Sequence, residues 1–431
     1  MRHDPDVLVV GGGVAGLFCA YHLARHGGSV TVLERGAIGG AQSCSYGNTG
    51  FVGTHGAAPL AGPGLLLEGL RGLLSPASGV AIRPSLRGGL PRWLWQFRRA
   101  CHSQEAQARL HLLADMKQRS LQMLRELCQP AGLAATLTTP GMVLAFKTPQ
   151  EFERARRAIP RAVERGVPLR ALSPAELRVL EPDAEFDVCG ALYNEEGAFL
   201  RVPDFVIELG RTVRDAGVEI HPHTEVTGFG VTRSGVNGRA VEQVRTTNGD
   251  FRPGEVVIAA GSWSGECARG LGLRLTLQPV KGYSITVKAP RNAPWRPVLL
   301  TEGSVAVSPS GDRLRFGGVL EMSGLDRATS PGRADGLRRI VEAYLPGLTS
   351  TETLETWTGL RPCTPDNLPF LGRAEPYRNV FVATGHGQMG MGLAPVGGKL
   401  IAQLMAGQPP DLDLAPFRLG RFSDRAGGST S

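Results

Sequence analysis

Val7-Leu8-Val9-Val10-Gly11-Gly12-Gly13-Val14-Ala15-Gly16, near the start of the chain, runs into a periodic apolar stretch as far as His26 and then into Val30-Thr31-Val32-Leu33-Glu34. Four consecutive apolar residues predict a buried strand, the spaced apolar positions from Val14 to His26 predict a helix, and Val30 to Glu34 predicts a second strand. Together they form a βαβ unit with its glycines at the first turn. Each glycine of this G-x-G-x-x-G pattern meets a separate need: Gly11 permits the tight turn, Gly13 lets the backbone approach a pyrophosphate, and Gly16 lets helix and strand pack closely. The helix start offers unpaired N–H groups and the positive end of a dipole to phosphates. Glu34, 18 residues beyond Gly16, accepts from ribose hydroxyls and repels a 2′-phosphate, so a dinucleotide is expected and NADP is disfavoured. The motif alone does not separate FAD from NAD.

At 431 residues the chain exceeds one simple core and suits two intertwined domains. Its 42% hydrophobic and 20% charged residues are those of an ordinary globular protein, and its 58 glycines point to many tight turns. The net charge of +8 rests on 47 basic residues, five of them lysines and 42 arginines. No basic run is interleaved with aromatics, so nucleic acid is not an expected partner. The seven cysteines stand singly without a CxxC pair, which predicts neither a disulfide framework nor a zinc site. His221-Pro222-His223 has no third ligand nearby, so no metal is expected. The short apolar run after Arg2–Asp6 is no signal peptide, and no apolar stretch of about 18 residues follows, so a cytoplasmic protein is expected.

Past the βαβ unit, Gly36 to Gly64 reads as glycine-rich loops lining a site. Pro91-Arg92-Trp93-Leu94-Trp95-Gln96-Phe97-Arg98-Arg99 is amphipathic. It reads either as a helix lying on the inner membrane face through Trp93 and Trp95, or as one whose aromatics pack under a cap. A long helix is expected from Gln104 to Cys128. Apolar runs at Met142–Phe146, Ala191–Tyr193, Tyr283–Val287, Val305–Val307 and Leu314–Val319 predict an antiparallel sheet in a second domain. The helix Pro203–Asp215, the strand Glu219-Ile220, the segment Thr224–Val231 and the strand Val256–Ala260 are expected to return to the nucleotide-binding sheet. A helix from Pro395 to Met405 closes the globule, and Gly427 to Ser431 is a loose tail.

Three further blocks carry a resemblance to a known family. The first is Ser43-Cys44-Ser45-Tyr46-Gly47-Asn48-Thr49-Gly50 with Thr54-His55-Gly56-Ala57-Ala58-Pro59-Leu60-Ala61-Gly62-Pro63-Gly64. The second is Gln278-Pro279-Val280-Lys281-Gly282-Tyr283-Ser284. The third is Trp357-Thr358-Gly359-Leu360-Arg361-Pro362-Cys363-Thr364-Pro365-Asp366, followed by Gly385-His386-Gly387-Gln388-Met389-Gly390. They resemble the D-amino-acid oxidase superfamily, most closely the bacterial D-amino-acid dehydrogenases and hydroxyproline dehydrogenases. The resemblance implies an α/β fold: a Rossmann-like FAD-binding domain of the GR2/DAAO type and a second α+β substrate domain built on an antiparallel sheet. The FAD-binding domain is expected at 1–64, 201–265 and 356–431, and the substrate domain at 65–200 and 266–355.

The implied cofactor is FAD, held without a covalent bond, because Gly359 stands where related sarcosine oxidases carry their flavin-linking cysteine and Cys363 lies four residues later. The expected FAD contacts are Gly11, Gly13, Val14, Ala15, Gly16, Glu34, Arg35, Ser43, Ser45, Asn48, Thr49, Gly50, Val226, Ala260, Gly261, Trp263, Gly359, Arg361, Gly387, Gln388, Met389 and Gly390. By the resemblance, Arg361 pairs with a substrate carboxylate; the alternative is a structural ion pair with Asp366 or a surface carboxylate. Tyr283 is expected to touch substrate or pack in a core, and His55 and His386 to move a proton or hydrogen-bond the cofactor. The implied reaction is oxidative deamination of an amino acid by hydride transfer from the amine-bearing carbon to flavin N5. A D-amino acid or a proline or hydroxyproline type is the expected substrate, with a quinone, oxygen or a carrier protein as acceptor. A glycine- or sarcosine-type oxidase using oxygen, a non-catalytic FAD-binding subunit and an NAD-dependent dehydrogenase are the alternatives.

Overall fold

The computed structural model describes residues 4–53, 80–82, 89–102, 105–129, 132–164, 166–232 and 238–422. His55 and the rest of the 54–64 block, with the tail from Gly427, lie outside the described residues. In chain order, the elements that position the site are β1 (Val7–Val10), α1 (Val14–Ala24), β2 (Val30–Leu33), α2 (Leu90–His102), α3 (Ala106–Leu127), β3 (Gln278–Lys288), β4 (Arg313–Met322), β5 (Thr353–Cys363) and α4 (Gly390–Met405).

β1 and β2 are central in a six-stranded sheet ordered Glu219–His221, β2, β1, Glu255–Ile258, Val380–Thr384, Phe370–Arg373, parallel except for the last strand. Strand side chains alternate faces, so this sheet is buried twice over. Val9, Val257 and Phe381 meet α1 and α4 on one face, while Leu8, Val10, Val256, Ile258 and Val380 meet Phe229, Val244 and Phe251 on the other. Phe229, Val244 and Phe251 belong to an antiparallel meander of Val226–Thr232, Ala240–Thr246 and Gly249–Phe251. The segment expected to join the nucleotide-binding sheet at Thr224–Val231 therefore lies across that sheet: short hairpin connections pair it with its chain neighbours, and no crossover returns it to the parallel order.

The second sheet runs β5, β3, β4, Val305–Ser310, Val298–Leu300, Met142–Phe146, Gly190–Asn194, Leu169–Leu172, with Val80–Ile82 alongside β4. It takes up every apolar run expected of it and is antiparallel apart from two parallel pairings. The domain limits differ from those expected at two places. β5 continues to Cys363 within this sheet, so the boundary expected at 356 falls inside one strand. α3 was expected in the substrate domain, yet Leu113, Met116, Leu121 and Leu124 pack into the core around α1 and α4.

Candidate active site

At the carboxyl ends of β1 and β2 a cavity of about 370 Å³ opens between the two sheets. Glu34, at the end of β2, is buried and accepts hydrogen bonds from the Gly12 and Gly36 N–H groups at 2.7 and 2.9 Å. A Cβ on Gly16 would sit 1.8 Å from the Gly11 carbonyl oxygen, so only glycine lets α1 approach the turn this closely. A Cβ on Gly13 would meet only the Ser43 and Ser45 hydroxyls, at 3.5 and 3.6 Å. Gly13 thus leaves the helix start open to a close-approaching group, flanked by two hydroxyls that can act as donors to a pyrophosphate. Ser45 Oγ also accepts from the Val14 N–H at 3.2 Å, capping the helix start.

Of the expected cofactor contacts, Gly11, Gly13, Val14, Ala15, Glu34, Arg35, Ser43, Ser45, Asn48, Val226, Ala260, Gly261, Trp263, Gly387 and Gly390 line this cavity. The Arg35 guanidinium lies 3.6 Å over the Trp263 ring, forming one wall. Gly16, Thr49, Gly50, Gly359, Arg361, Gln388 and Met389 do not line it, for separate reasons. Gly16 is spent on helix–strand packing. Thr49 and Gly50 dock their loop on its neighbours: the Thr49 carbonyl accepts from Ser308 Oγ, and a Cβ on Gly50 would sit 1.9 Å from the Leu200 carbonyl oxygen. Gly359 makes room for the Trp357 indole, which would lie 1.9 Å from its Cβ, and Met389 is buried in the α1 and α4 core. Sequence reading passed over Cys44, Thr224, Thr227, Ser262, Thr384 and Met391, all of which line the cavity. Cys44 and Met391 stood inside or beside recognised blocks, and that adjacency was the available signal.

Arg361 lies on β5 between Leu360 and Pro362, which line the cavity with Cys44. Its side chain crosses to β3, where a Cβ on Gly282 would sit 1.9 Å from Nη1 and 2.3 Å from Cζ. Nη1 donates to the Val319 carbonyl at 3.1 Å. Burial lowers the Arg361 pKa, opposed by the Cys44 and Cys363 thiols nearby, and the group stays a cation. The structural ion pair with Asp366 is not formed. Asp366 is held bidentately by Arg421, at 2.8 and 3.0 Å, and Arg361 has no carboxylate partner among the described residues.

Tyr283 is placed away from the cavity. On β3 and β5 the paired residues Val280 and Arg361 share one face, so Tyr283, three positions from Val280, points to the other. There it is 1% exposed in the substrate-domain core and donates to Glu321 Oε2 at 3.0 Å. His386 lines the cavity but is 4% exposed, and burial pushes its pKa down to about 4. Its Nε2 has no hydrogen-bond partner among the described residues and would lie 3.4 Å from a Cβ on Gly397 of α4, so that nitrogen faces the helix. A neutral ring of such low basicity suits a cofactor contact better than proton abstraction at neutral pH.

The fold and the site define a two-domain dinucleotide-binding oxidoreductase, its cavity built from a Rossmann-like half and closed by an antiparallel sheet. A family model described as FAD dependent oxidoreductase, DAO, matches residues 6–404, and the chain belongs to that family. Its cofactor is FAD, in keeping with the donor set above. Glycine oxidase from Geobacillus kaustophilus is 27% identical with a TM-score of 0.75, covering 97% of this chain and 99% of that one. L-proline dehydrogenase from P. horikoshii is 18% identical with a TM-score of 0.69, covering 98% of each chain. L-alpha-glycerophosphate oxidase from Mycoplasma pneumoniae, solved with FAD bound, is 18% identical with a TM-score of 0.67, covering 94% of this chain and 95% of that one. At such identities the last two establish the shared fold.

Proposed function

We propose that this protein oxidises a small amino acid at its amine-bearing carbon, a D-amino acid or a proline or hydroxyproline type, with the carboxylate held by Arg361. The observation that carries the reading is a largely buried guanidinium beside the cavity that, among the described residues, donates to one backbone carbonyl and pairs with no carboxylate. A buried cation with unused planar donors is a bidentate carboxylate receptor. Bound FAD, held without a covalent link, supplies the hydride acceptor. The chain's own part is to orient: Arg361 fixes the plane of the substrate, and such placement lowers a barrier by several kcal/mol. Anaerobic addition of D-amino acids, their L counterparts, hydroxyproline isomers, glycine and sarcosine tests the reading. Bleaching of the visible flavin band by D-amino acids or proline types supports it; an intact spectrum with every amine favours a non-catalytic FAD-binding subunit.

A second reading, a glycine- or sarcosine-type oxidase passing electrons to oxygen, draws support from the 27% identity to a glycine oxidase. Peroxide release with glycine or sarcosine, undiminished by an added artificial acceptor, separates it from a dehydrogenase that serves a quinone or carrier protein. For the quinone case we propose work at the cytoplasmic face of a membrane, with α2 as the contact. Among the described residues no helix is long and apolar enough to cross a membrane. Trp93, expected on that contact, is 2% exposed and donates to the Cys363 carbonyl at 3.1 Å. Trp95 is 50% exposed, with the Arg99 guanidinium 4.7 Å over its ring and Arg98 and His102 on the same outer side. An amphipathic aromatic flanked by cations suits an anionic lipid surface. Co-sedimentation with vesicles rich in phosphatidylglycerol, reduced about tenfold in Trp95→Ala, is the expected result; no binding to such vesicles removes the contact.

A further inference from the structure

β3 and β4 are out of step beside Arg361. Lys281 is paired with Glu321 and Tyr283 with Gly318, so Val319 and Leu320 on β4 stand against the single residue Gly282 on β3. This is a β-bulge, a device that re-aims groups next to a site. Within it Val319 has φ +61°, in the left-handed region that a β-branched residue rarely enters. The twist turns its carbonyl onto Arg361 Nη1. An outlier kept at a buried, 4% exposed position must be imposed by its surroundings, and the next residues show how. Glu321 accepts from Tyr283 Oη at 3.0 Å and stands 3.7 Å from Lys281 Nζ. Lys281 Nζ also donates to Asp326 Oδ2 and the Ala328 carbonyl, both at 3.0 Å. Lys281, Tyr283 and Glu321 are all buried on the face of the sheet opposite Arg361.

We propose that Glu321 and Tyr283 are positioning residues for Arg361: clamped with Lys281, they hold the bulge in place, and the bulge holds the Val319 carbonyl that aims the guanidinium. The inference rests on the reading of Arg361 as the carboxylate receptor. With one N–H engaged by a fixed carbonyl, the guanidinium presents its remaining donors in one orientation, and loosening the clamp blurs that orientation without removing the cation. Tyr283 and Glu321 thereby act on substrate affinity without touching substrate.

Benzoate, a planar carboxylate with no amine to oxidise, is the probe, its binding followed by perturbation of the flavin spectrum of the holoenzyme. Arg361→Ala, Tyr283→Phe, Glu321→Gln and the doubles with Arg361→Ala are compared, together with KM and kcat for whichever amine bleaches the flavin. Tyr283→Phe should raise the benzoate Kd and the amine KM about threefold to tenfold, with kcat held within about twofold. In the doubles the second substitution should add nothing to Arg361→Ala, because its effect runs through that side chain. Additive losses would mean a merely structural role and overturn the proposal, as would unchanged Kd and KM in Tyr283→Phe. An Arg361→Ala enzyme that binds benzoate as tightly as the parent would instead overturn the reading of Arg361 itself, and the positioning role with it. Should Glu321→Gln fail to fold, Tyr283→Phe, which removes the hydroxyl and no volume of consequence, decides alone.

Discussion

His386 shows how one residue ties the site to solution conditions. Burial pushes its pKa to about 4 from an ordinary 6.5, so between those values the unfolded chain takes up a proton that the folded chain refuses. The stability associated with the neutral ring is complete above pH 6.5 and is lost as pH falls toward 4. At full effect this is on the order of 3 kcal/mol. His22, lowered to about 4 mainly by burial and secondarily by Lys399, acts in the same direction and window. Unfolding midpoints of the holoenzyme from pH 7 to 4.5 should therefore fall steadily, and His386→Leu should lessen the slope; an unchanged slope would show that the ring is charged in the folded protein. At this scale the sequence was informative where a residue's role is local. The turn at Gly11 and the close packing at Gly16 could be read from spacing because a turn and a helix start impose their requirements within a few residues. Tyr283 could not be placed, because which face it takes depends on the register of β3 against β5.

α4 makes the same point for an element. Its start was expected at Pro395. The helix begins at Gly390, with Pro395 inside it. The glycines serve close packing instead: a Cβ on Gly398 would sit 2.6 Å from the Phe18 backbone of α1, so the two helices cross almost backbone to backbone. This contact brings the start of α4, with Gly390 and Met391, to the cavity wall. Gly398→Val should cost about 1–3 kcal/mol through overpacking. It should also weaken FAD retention, measured as the flavin-to-protein absorbance ratio after gel filtration. Normal retention and an unchanged melting temperature would show that the helices separate at little cost. For α2 the amphipathic pattern was legible but its orientation was not. Trp93 faces the Cys363 carbonyl and Trp95 faces outward, a division decided by what lies beneath the helix.

At the scale of the whole molecule, the cavity exists because two sheets of different kind meet over one set of loops. The parallel sheet presents the carboxyl ends of β1 and β2, and the antiparallel sheet brings β5 across with Leu360, Arg361 and Pro362. Arg315 fastens the seam: from β4 its guanidinium donates to the carbonyls of Tyr46 at 2.8 Å and Val202 at 3.2 Å. The sequence by itself determined the βαβ unit, the dinucleotide, the strands of the second sheet and the residue blocks around the cavity. Those features follow from turn chemistry, from apolar periodicity and from motifs whose members lie close in the chain. Only the tertiary structure decided that Asp366 pairs with Arg421 rather than with Arg361, that α3 packs with the FAD-binding core, and that a bulge puts the Val319 carbonyl on the guanidinium. These depend on contacts between segments far apart in the chain, where packing and strand register choose among partners that the local sequence leaves equally open.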